Sequence, residues 1–191
     1  MQETREHLIY IPPKPTACVL VVLHGAAMTP DDMLKEFRSL ADVHGVMLIL
    51  PHSPPTWSCI LDPRSLDRDI ALVNQLVDFV KTGYRVDQID IAGFSDGATC
   101  ALSIGLNQSH PFKHILSMSI GGMICRSLNK FQSKSVTLHH GWSDTALPIS
   151  CTFKVTASLQ AGGMTPTVRL FEGGHSINSD FVRDFFRVTY K

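Results

Sequence analysis

The sequence lacks an excess of charge of either sign. Its 17 lysine and arginine residues are matched by 17 aspartate and glutamate residues, and no basic run interrupts the balance. A nucleic-acid-binding protein carries a basic patch or stripe, and attraction to an anionic membrane surface requires a basic cluster. We therefore expect neither nucleic acid nor another polyanion as a partner.

A long apolar run is missing as well. The longest, Ala17–Leu23, is far shorter than the roughly 18 residues of a membrane span. The first residues, Met1–His7, are polar and include two glutamates, so they lack the apolar centre of a secretory signal. These features predict a cytoplasmic protein without a membrane span.

Cysteine is sparse and unpatterned. The five cysteines are scattered, odd in number and free of any CxxC spacing: Cys18, Cys59, Cys100, Cys125 and Cys151. No cysteine–histidine cluster has the spacing of a zinc site. We expect reduced, partly buried thiols and no metal.

What the sequence does contain is an alternation of strand-like and helix-like segments. Its 191 residues, 44% of them hydrophobic, suffice for one domain over residues 1–191 with a single core. We expect the protein to be a monomer or a homodimer. The alternation indicates an α/β fold with a mostly parallel sheet. The predicted strands are His7–Ile11 at an edge, Cys18–Leu23, Val46–Leu50, Ile89–Ala92, Ile115–Ile120, Ser135–His139 and Thr167–Phe171. The predicted helices are Thr29–His44, Asp67–Thr82, Ala98–Leu106, Pro148–Ala161 and Ser179–Val188.

The segment Gly93–Gly97, which reads GFSDG, is the most specific motif in the sequence. It follows a predicted strand and precedes a helix of small residues. Glycine two positions before and after a serine is typical of a turn so tight that side chains there would clash with the backbone. Such a turn places the hydroxyl near a helix N-terminus, where negative charge is favoured. Ser95 is the candidate nucleophile, and a chance match in an ordinary loop is the alternative.

A serine nucleophile needs a histidine base and an acid that orients it. Five histidines follow Ser95: His110, His114, His139, His140 and His175. Only His175 follows a plausible acid, in a glycine-rich turn just past the last predicted strand. We therefore assign it as the base.

Three acids lie between Ser95 and His175: Asp96, Asp144 and Glu172. Asp96 adjoins the nucleophile and opens its helix, which is the wrong geometry. Glu172 ends the strand that leads to the histidine and is the runner-up. Asp144 follows a strand and precedes a helix, at the edge of the sheet where ligand sites form in open α/β folds. It is the preferred acid.

A tetrahedral intermediate needs two amide donors. One should be the N–H of Asp96, the residue after the nucleophile. The other should come from the loop after Cys18–Leu23, which reads HGAA over residues 24–27. The histidine of that loop, His24, is expected to be structural and to hold the loop by a hydrogen bond.

With these residues in place, the chain resembles the phospholipase/carboxylesterase group of α/β-hydrolases and the related dienelactone-hydrolase-like and polyhydroxybutyrate-depolymerase-like esterases. The matching segments are residues 23–25 (LHG), 55–57 (PTW), 93–98 (GFSDGA), 140–144 (HGWSD) with 147–148 (LP), and 173–175 (GGH). The resemblance implies an α/β-hydrolase fold with about seven strands and helices on both faces. Because the chain is short for the group, we expect no large lid.

The resemblance also implies a serine carboxylesterase with the triad Ser95, Asp144 and His175, and no cofactor. It places the two amide donors at Ala26 and Asp96. It also implies that the substrate is a small-molecule ester. An apolar acyl pocket is predicted from Met28, Trp57, Trp142 and Leu147, although core packing explains such residues equally well.

Rival functions would use the same residues. An acyl-protein or acyl-CoA thioesterase or a lysophospholipase has the same triad but needs a groove for a long acyl chain. A peptidase is disfavoured because nothing indicates a peptide-gating domain. A catalytically inactive binding protein on this fold would be indicated by a missing triad member, yet all three are present.

Overall fold

The computed structural model describes residues 7–107, 112–125 and 134–191, so most of the polar segment Met1–His7 and the candidate His110 lie outside the described residues. The strands are β1 (Leu8–Tyr10), β2 (Cys18–Leu23), β3 (Met47–Leu50), β4 (Gln88–Phe94), β5 (Phe112–Met118), β6 (Ser135–Gly141) and β7 (Thr167–Phe171). The helices are α1 (Pro30–His44), α2 (Ser58–Leu61), α3 (Leu66–Gly83), α4 (Asp96–Gly105), α5 (Ser150–Ala161) and α6 (Ser179–Thr189).

The strands form one sheet in the order β1-β3-β2-β4-β5-β6-β7. Every pair is parallel except β1 with β3. The strand predicted for an edge, β1, lies at an edge. The predicted α/β-hydrolase architecture with a mostly parallel seven-stranded sheet is confirmed.

Helices cover both faces of this sheet. Alternate residues of β2 separate into two cores, because successive side chains of a strand point to opposite faces. Leu20 and Val22 pack with residues of α1 and α6, such as Phe37 and Phe186. Val19 and Val21 pack on the other side, with residues of α3, α4 and α5. Burial on both faces explains why β2 reads as an unbroken apolar run.

Hydrogen bonds at its start and a glycine at its end set the boundaries of α1. Thr29 accepts the N–H of Asp32 through its hydroxyl, and the Asp32 carboxylate accepts the N–H of Thr29. This reciprocal capping box satisfies two amides that a helix start otherwise leaves open. Gly45 ends the helix in the left-handed conformation, with φ 69°.

Two features of the fold differ from the sequence prediction. The strand predicted at Ile115–Ile120 is observed at Phe112–Met118, because pairing with β4 fixes its ends. The short helix α2 and the 3-10 turn Pro63–Ser65 were not predicted, since neither is long enough to show an apolar period.

The prediction of no large lid stays a prediction, because residues 126–133, between β5 and β6, are outside the described part. Within the described residues, no helix is long and apolar enough to cross a membrane.

Candidate active site

The carboxyl ends of the parallel strands bring the predicted site residues to one edge of the sheet. Ser95 follows β4, Asp144 follows β6 and His175 follows β7. Loops at this edge also include residues 24–29, which follow β2. Residues that are far apart in the sequence therefore meet around the start of α4.

A tight turn holds Ser95. Its backbone has φ 57° and ψ −121°, a strained conformation for a residue with a side chain. The two flanking glycines make the turn possible. A Cβ on Gly93 would lie 2.0 Å from the carbonyl oxygen of Gly97, and a Cβ on Gly97 would lie 2.3 Å from that of Leu23. No larger residue fits either position without moving the backbone.

Ser95, His175 and Asp144 form a continuous hydrogen-bonded chain. The Nδ1 of His175 lies 2.7 Å from Oδ2 of Asp144, and its Nε2 lies 2.9 Å from Oγ of Ser95. The carboxylate can only accept, so Nδ1 carries the proton and Nε2 is free to accept the serine hydroxyl proton. The imidazole also packs on the ring of Phe94, with centroids 4.8 Å apart.

The Asp144 carboxylate is buried but well supplied with donors. Its Oδ1 accepts the N–H groups of Ala146 and Leu147 at 3.0 and 2.9 Å. Burial by itself raises the pKa of Asp144, but hydrogen bonds from the Leu147 amide and from the His175 ring outweigh it and leave the pKa lowered. The carboxylate therefore stays charged beside the imidazole.

The loops that carry Asp144 and His175 are joined to each other. Ser143 donates its N–H to the carbonyl of Gly173 at 2.8 Å, and Trp142 donates to that of Phe171 at 2.9 Å. A Cβ on Gly141 would lie 2.4 Å from the carbonyl oxygens of both Gly173 and Gly174. Glycine at the end of β6 thus lets the two loops approach closely enough for the acid to reach the histidine.

The alternative acid Glu172 and the alternative bases His114 and His139 do not join this chain. Glu172 is exposed at the end of β7, and Asp144, not Glu172, bonds to the histidine. The Nδ1 of His114 lies 2.9 Å from the Asp90 carboxylate. His139 is buried on the α6 side of the sheet, where burial lowers its pKa to about 3.

The backbone amides of Asp96 and Ala26, predicted as the two oxyanion donors, lie in segments next to Ser95. The N–H of Asp96 is the first of α4, and the first amides of a helix have no acceptor within it. In the loop after β2, Gly25 approaches Ser95 so closely that a Cβ on it would lie 3.2 Å from the serine Cβ. The next amide, of Ala26, has no acceptor among the residues that the structure describes.

His24 holds that loop, as expected. Its Nε2 accepts the N–H of Ser53 at 3.1 Å, and its Nδ1 donates to the carbonyl of Gly25 at 2.7 Å. Burial lowers the pKa of His24, which keeps the ring neutral and its Nε2 able to accept.

The prediction that Trp57 lines a substrate pocket is wrong. Its side chain has 0% exposure, and its indole N–H donates to the carbonyl of His24 at 2.7 Å, so it belongs to the core that supports the loop. Trp142 is 51% exposed, and Met28 and Leu147 are partly buried. A pocket role for those three stays a prediction.

Three residues close to the site make contacts that were not predicted from the sequence. The Nε2 of buried His140 donates to the carbonyl of Leu147 and lies 3.3 Å from Oδ2 of Asp144. The hydroxyl of Thr152 donates to Nδ1 of the same ring at 2.7 Å. Thr56 donates to the side chain of Asp96 at 2.7 Å. Only the four-residue spacing of His140 and Asp144 is visible in the sequence.

Among the described residues, one group of side chains has the chemistry to hold a metal ion, formed by Cys59, Asp69 and Cys100. The Asp69 carboxylate already accepts the N–H groups of Ser58 and Cys59, at 3.1 and 2.7 Å, and so caps α2. Burial raises the pKa of the Cys100 thiol well above its usual value, which favours the protonated form. Hydrogen bonding and burial therefore explain why these three side chains lie together.

The sequence profile of the phospholipase/carboxylesterase family matches residues 62–191, well over half of the chain. The matched part contains Ser95, Asp144 and His175 and leaves out the loop after β2. Comparison with curated proteins gives no match.

Solved structures of similar fold cover nearly the whole chain. Esterase PE8 has a TM-score of 0.79 and 20% identity, covering 96% of this chain and 98% of its own. Acyl-protein thioesterase 2 of Zea mays has a TM-score of 0.77 and 14% identity, covering 98% and 100%. A carboxylesterase of Bacillus cereus has a TM-score of 0.77 and 17% identity, covering 98% and 95%. At these identities the likeness establishes the fold.

The steric constraint at the turn gives a stability prediction. Gly97→Ala should lower the free energy of unfolding by about 1–3 kcal/mol or more, because the new Cβ meets backbone that cannot move freely. Gly83→Ala is the matched control, since a Cβ there would have nothing within 4 Å. Urea denaturation of both variants measures the difference. Equal stabilities would show that the turn does not require glycine.

Proposed function

Because this chain belongs to the phospholipase/carboxylesterase family and is a hydrolase, we propose that it is a serine carboxylesterase that cleaves small, short-acyl esters through an acyl-enzyme. The observation that carries the proposal is the unbroken chain from Ser95 Oγ through the His175 ring to the buried carboxylate of Asp144. Nucleophile, base and orienting acid are each within hydrogen-bond distance of the next.

In the proposed acylation step, Ser95 Oγ attacks the ester carbonyl carbon while His175 Nε2 takes the hydroxyl proton. The carbonyl oxygen becomes an oxyanion, which accepts the N–H groups of Ala26 and Asp96. The buried charge of Asp144 stabilises the imidazolium. Collapse of the intermediate breaks the bond to the alcohol, which leaves with the proton from His175, and the acyl group stays on Ser95.

In the proposed deacylation step, a water molecule gives a proton to His175 Nε2 and attacks the acyl carbon. The second tetrahedral intermediate uses the same two amides. Its collapse returns the proton to Ser95 Oγ and releases the carboxylic acid. Each amide donor of this kind contributes about 10²–10³ in turnover.

Ser95→Ala should reduce ester hydrolysis by about six orders of magnitude, because it removes the nucleophile. Initial rates on p-nitrophenyl acetate measure the loss. Circular dichroism checks that the fold is intact. Ser158→Ala, a change at an exposed serine on α5, is the matched control and should keep the parent rate. Hydrolysis by Ser95→Ala at close to the parent rate would remove Ser95 as the nucleophile.

Asp144→Asn should reduce kcat by about 10⁴, since the amide can hold the wrong tautomer of His175 and cannot stabilise its charge. Glu172→Gln makes the same chemical change at the runner-up acid, which is exposed, and should leave kcat close to that of the parent. Steady-state kinetics of the two variants decide between the acids. A larger loss in Glu172→Gln would reverse the assignment.

The expected substrate preference follows from the length of the loops around the site. The connections at this edge that are fully described are short to moderate in length: residues 24–29, 51–57, 142–149 and 172–178. A long acyl chain would stay largely in water, and each methylene contributes about 0.8 kcal/mol only when buried. The gain per methylene should therefore end once a small pocket is full.

We expect kcat/KM to be highest at about two to six acyl carbons, with no activation at a lipid interface. The measurement is a p-nitrophenyl ester series from acetate to palmitate, assayed below and above the micellar limit. A kcat/KM that rises through laurate to palmitate, or a jump in rate at the interface, would favour a lipase or a long-chain thioesterase instead.

A further inference from the structure

The residue after the nucleophile is an acid, and this creates an electrostatic problem for the proposed function. The backbone amide of Asp96 is a proposed donor to the oxyanion, while its side chain brings a carboxylate to the same end of α4. Two negative charges at short range repel each other, and more strongly where bulk water is partly excluded. A free aspartate side chain can also accept nearby backbone N–H groups and so compete with the oxyanion.

The structure places one partner on that carboxylate. The hydroxyl of Thr56 lies 2.7 Å from Oδ2 of Asp96, in a partly buried contact between residues 40 positions apart. A carboxylate only accepts, so the hydroxyl must donate. This contact anchors the Asp96 side chain to the segment Ser53–Trp57 and limits its access to the amides of α4.

The same segment, Ser53–Trp57, also holds the loop that carries the second proposed donor. The carbonyl of Pro55, next to Thr56, accepts the N–H of Ala27 at 2.9 Å. Ser53 and Trp57 each bond to His24, and the Ser53 hydroxyl donates to the Thr56 carbonyl at 3.1 Å. One segment therefore contacts the residues on both sides of the oxyanion site.

We propose that Thr56 is a positioning residue of the oxyanion site. Its hydroxyl keeps the Asp96 carboxylate away from the developing negative charge, and its backbone neighbours fix the Ala26 amide relative to the Asp96 amide. This inference rests on the proposed function, in which those two amides bind the oxyanion. Thr56 does not touch the substrate and acts through Asp96.

Thr56→Val tests the role because it keeps the shape of the side chain and removes the hydroxyl. We expect kcat to fall about tenfold with KM within about twofold, because a misplaced donor costs less than a missing one. Thr56→Ala, a second variant without the hydroxyl, should show the same loss. Thr56→Ser keeps the hydroxyl and should restore kcat to within about threefold of the parent.

Two further readouts separate positioning from a merely structural role. The inhibition constant of a trifluoromethyl ketone, which forms an oxyanion on the serine, should rise about tenfold in Thr56→Val, as kcat/KM falls. Adding Asp96→Asn to Thr56→Val should recover part of the lost kcat, because the neutral amide repels the oxyanion less. Thr82→Val, a hydroxyl deletion at the exposed end of α3, is the matched control.

Parent-like kcat in both Thr56→Val and Thr56→Ala would overturn the inference. A kcat in Thr56→Ser as low as that in Thr56→Val would do so too, as would an unchanged inhibition constant for the ketone. These outcomes differ from failure of the proposed function, in which the parent protein would hydrolyse no ester or would hydrolyse it without Ser95.

Discussion

The backbone of Ser95 adopts φ 57° and ψ −121°, and the arrangement of the site follows from how that conformation is held. The absence of side chains at Gly93 and Gly97 lets α4 start directly against the carbonyls that end β2. The Ser95 N–H is fixed at the same time by the carbonyl of Met118, at 2.9 Å. Surrounding strands thus supply the constraint that a strained residue needs in order to persist. The serine hydroxyl, at the end of the central strand β4, then bonds to an imidazole that follows the edge strand β7.

The buried Asp144 carboxylate performs the second organising task. Its oxygens accept two backbone N–H groups and the Nδ1–H of His175, and the ring of His140 lies beside it. A buried charge with fewer donors would be strongly disfavoured. The lowered pKa of Asp144 shows that its donors more than offset the effect of burial. The aspartate loop and the histidine loop can share this cluster only because Gly141 allows them to touch.

Features that depend on local sequence could be predicted, and features that depend on packing could not. The turn at Ser95 and the apolar run of β2 each show in a short segment of sequence. The order of acid and histidine along the chain is also visible in the sequence. Trp57 shows the limit, because an aromatic residue in a loop near a site gives no sign that its indole N–H is buried against a backbone carbonyl. The bond from Thr56 to Asp96 joins residues 40 positions apart and follows only from the fold.

We propose that the strained turn and the hydrogen-bonded chain make Ser95 an activated nucleophile. The most direct measurement is to react the folded protein with a fluorophosphonate and locate the adduct by peptide mass spectrometry. We expect one adduct, on Ser95, which the folded protein forms and which is lost when the protein is unfolded in urea before the reaction. An adduct on another residue, or an unreactive folded protein, would contradict it.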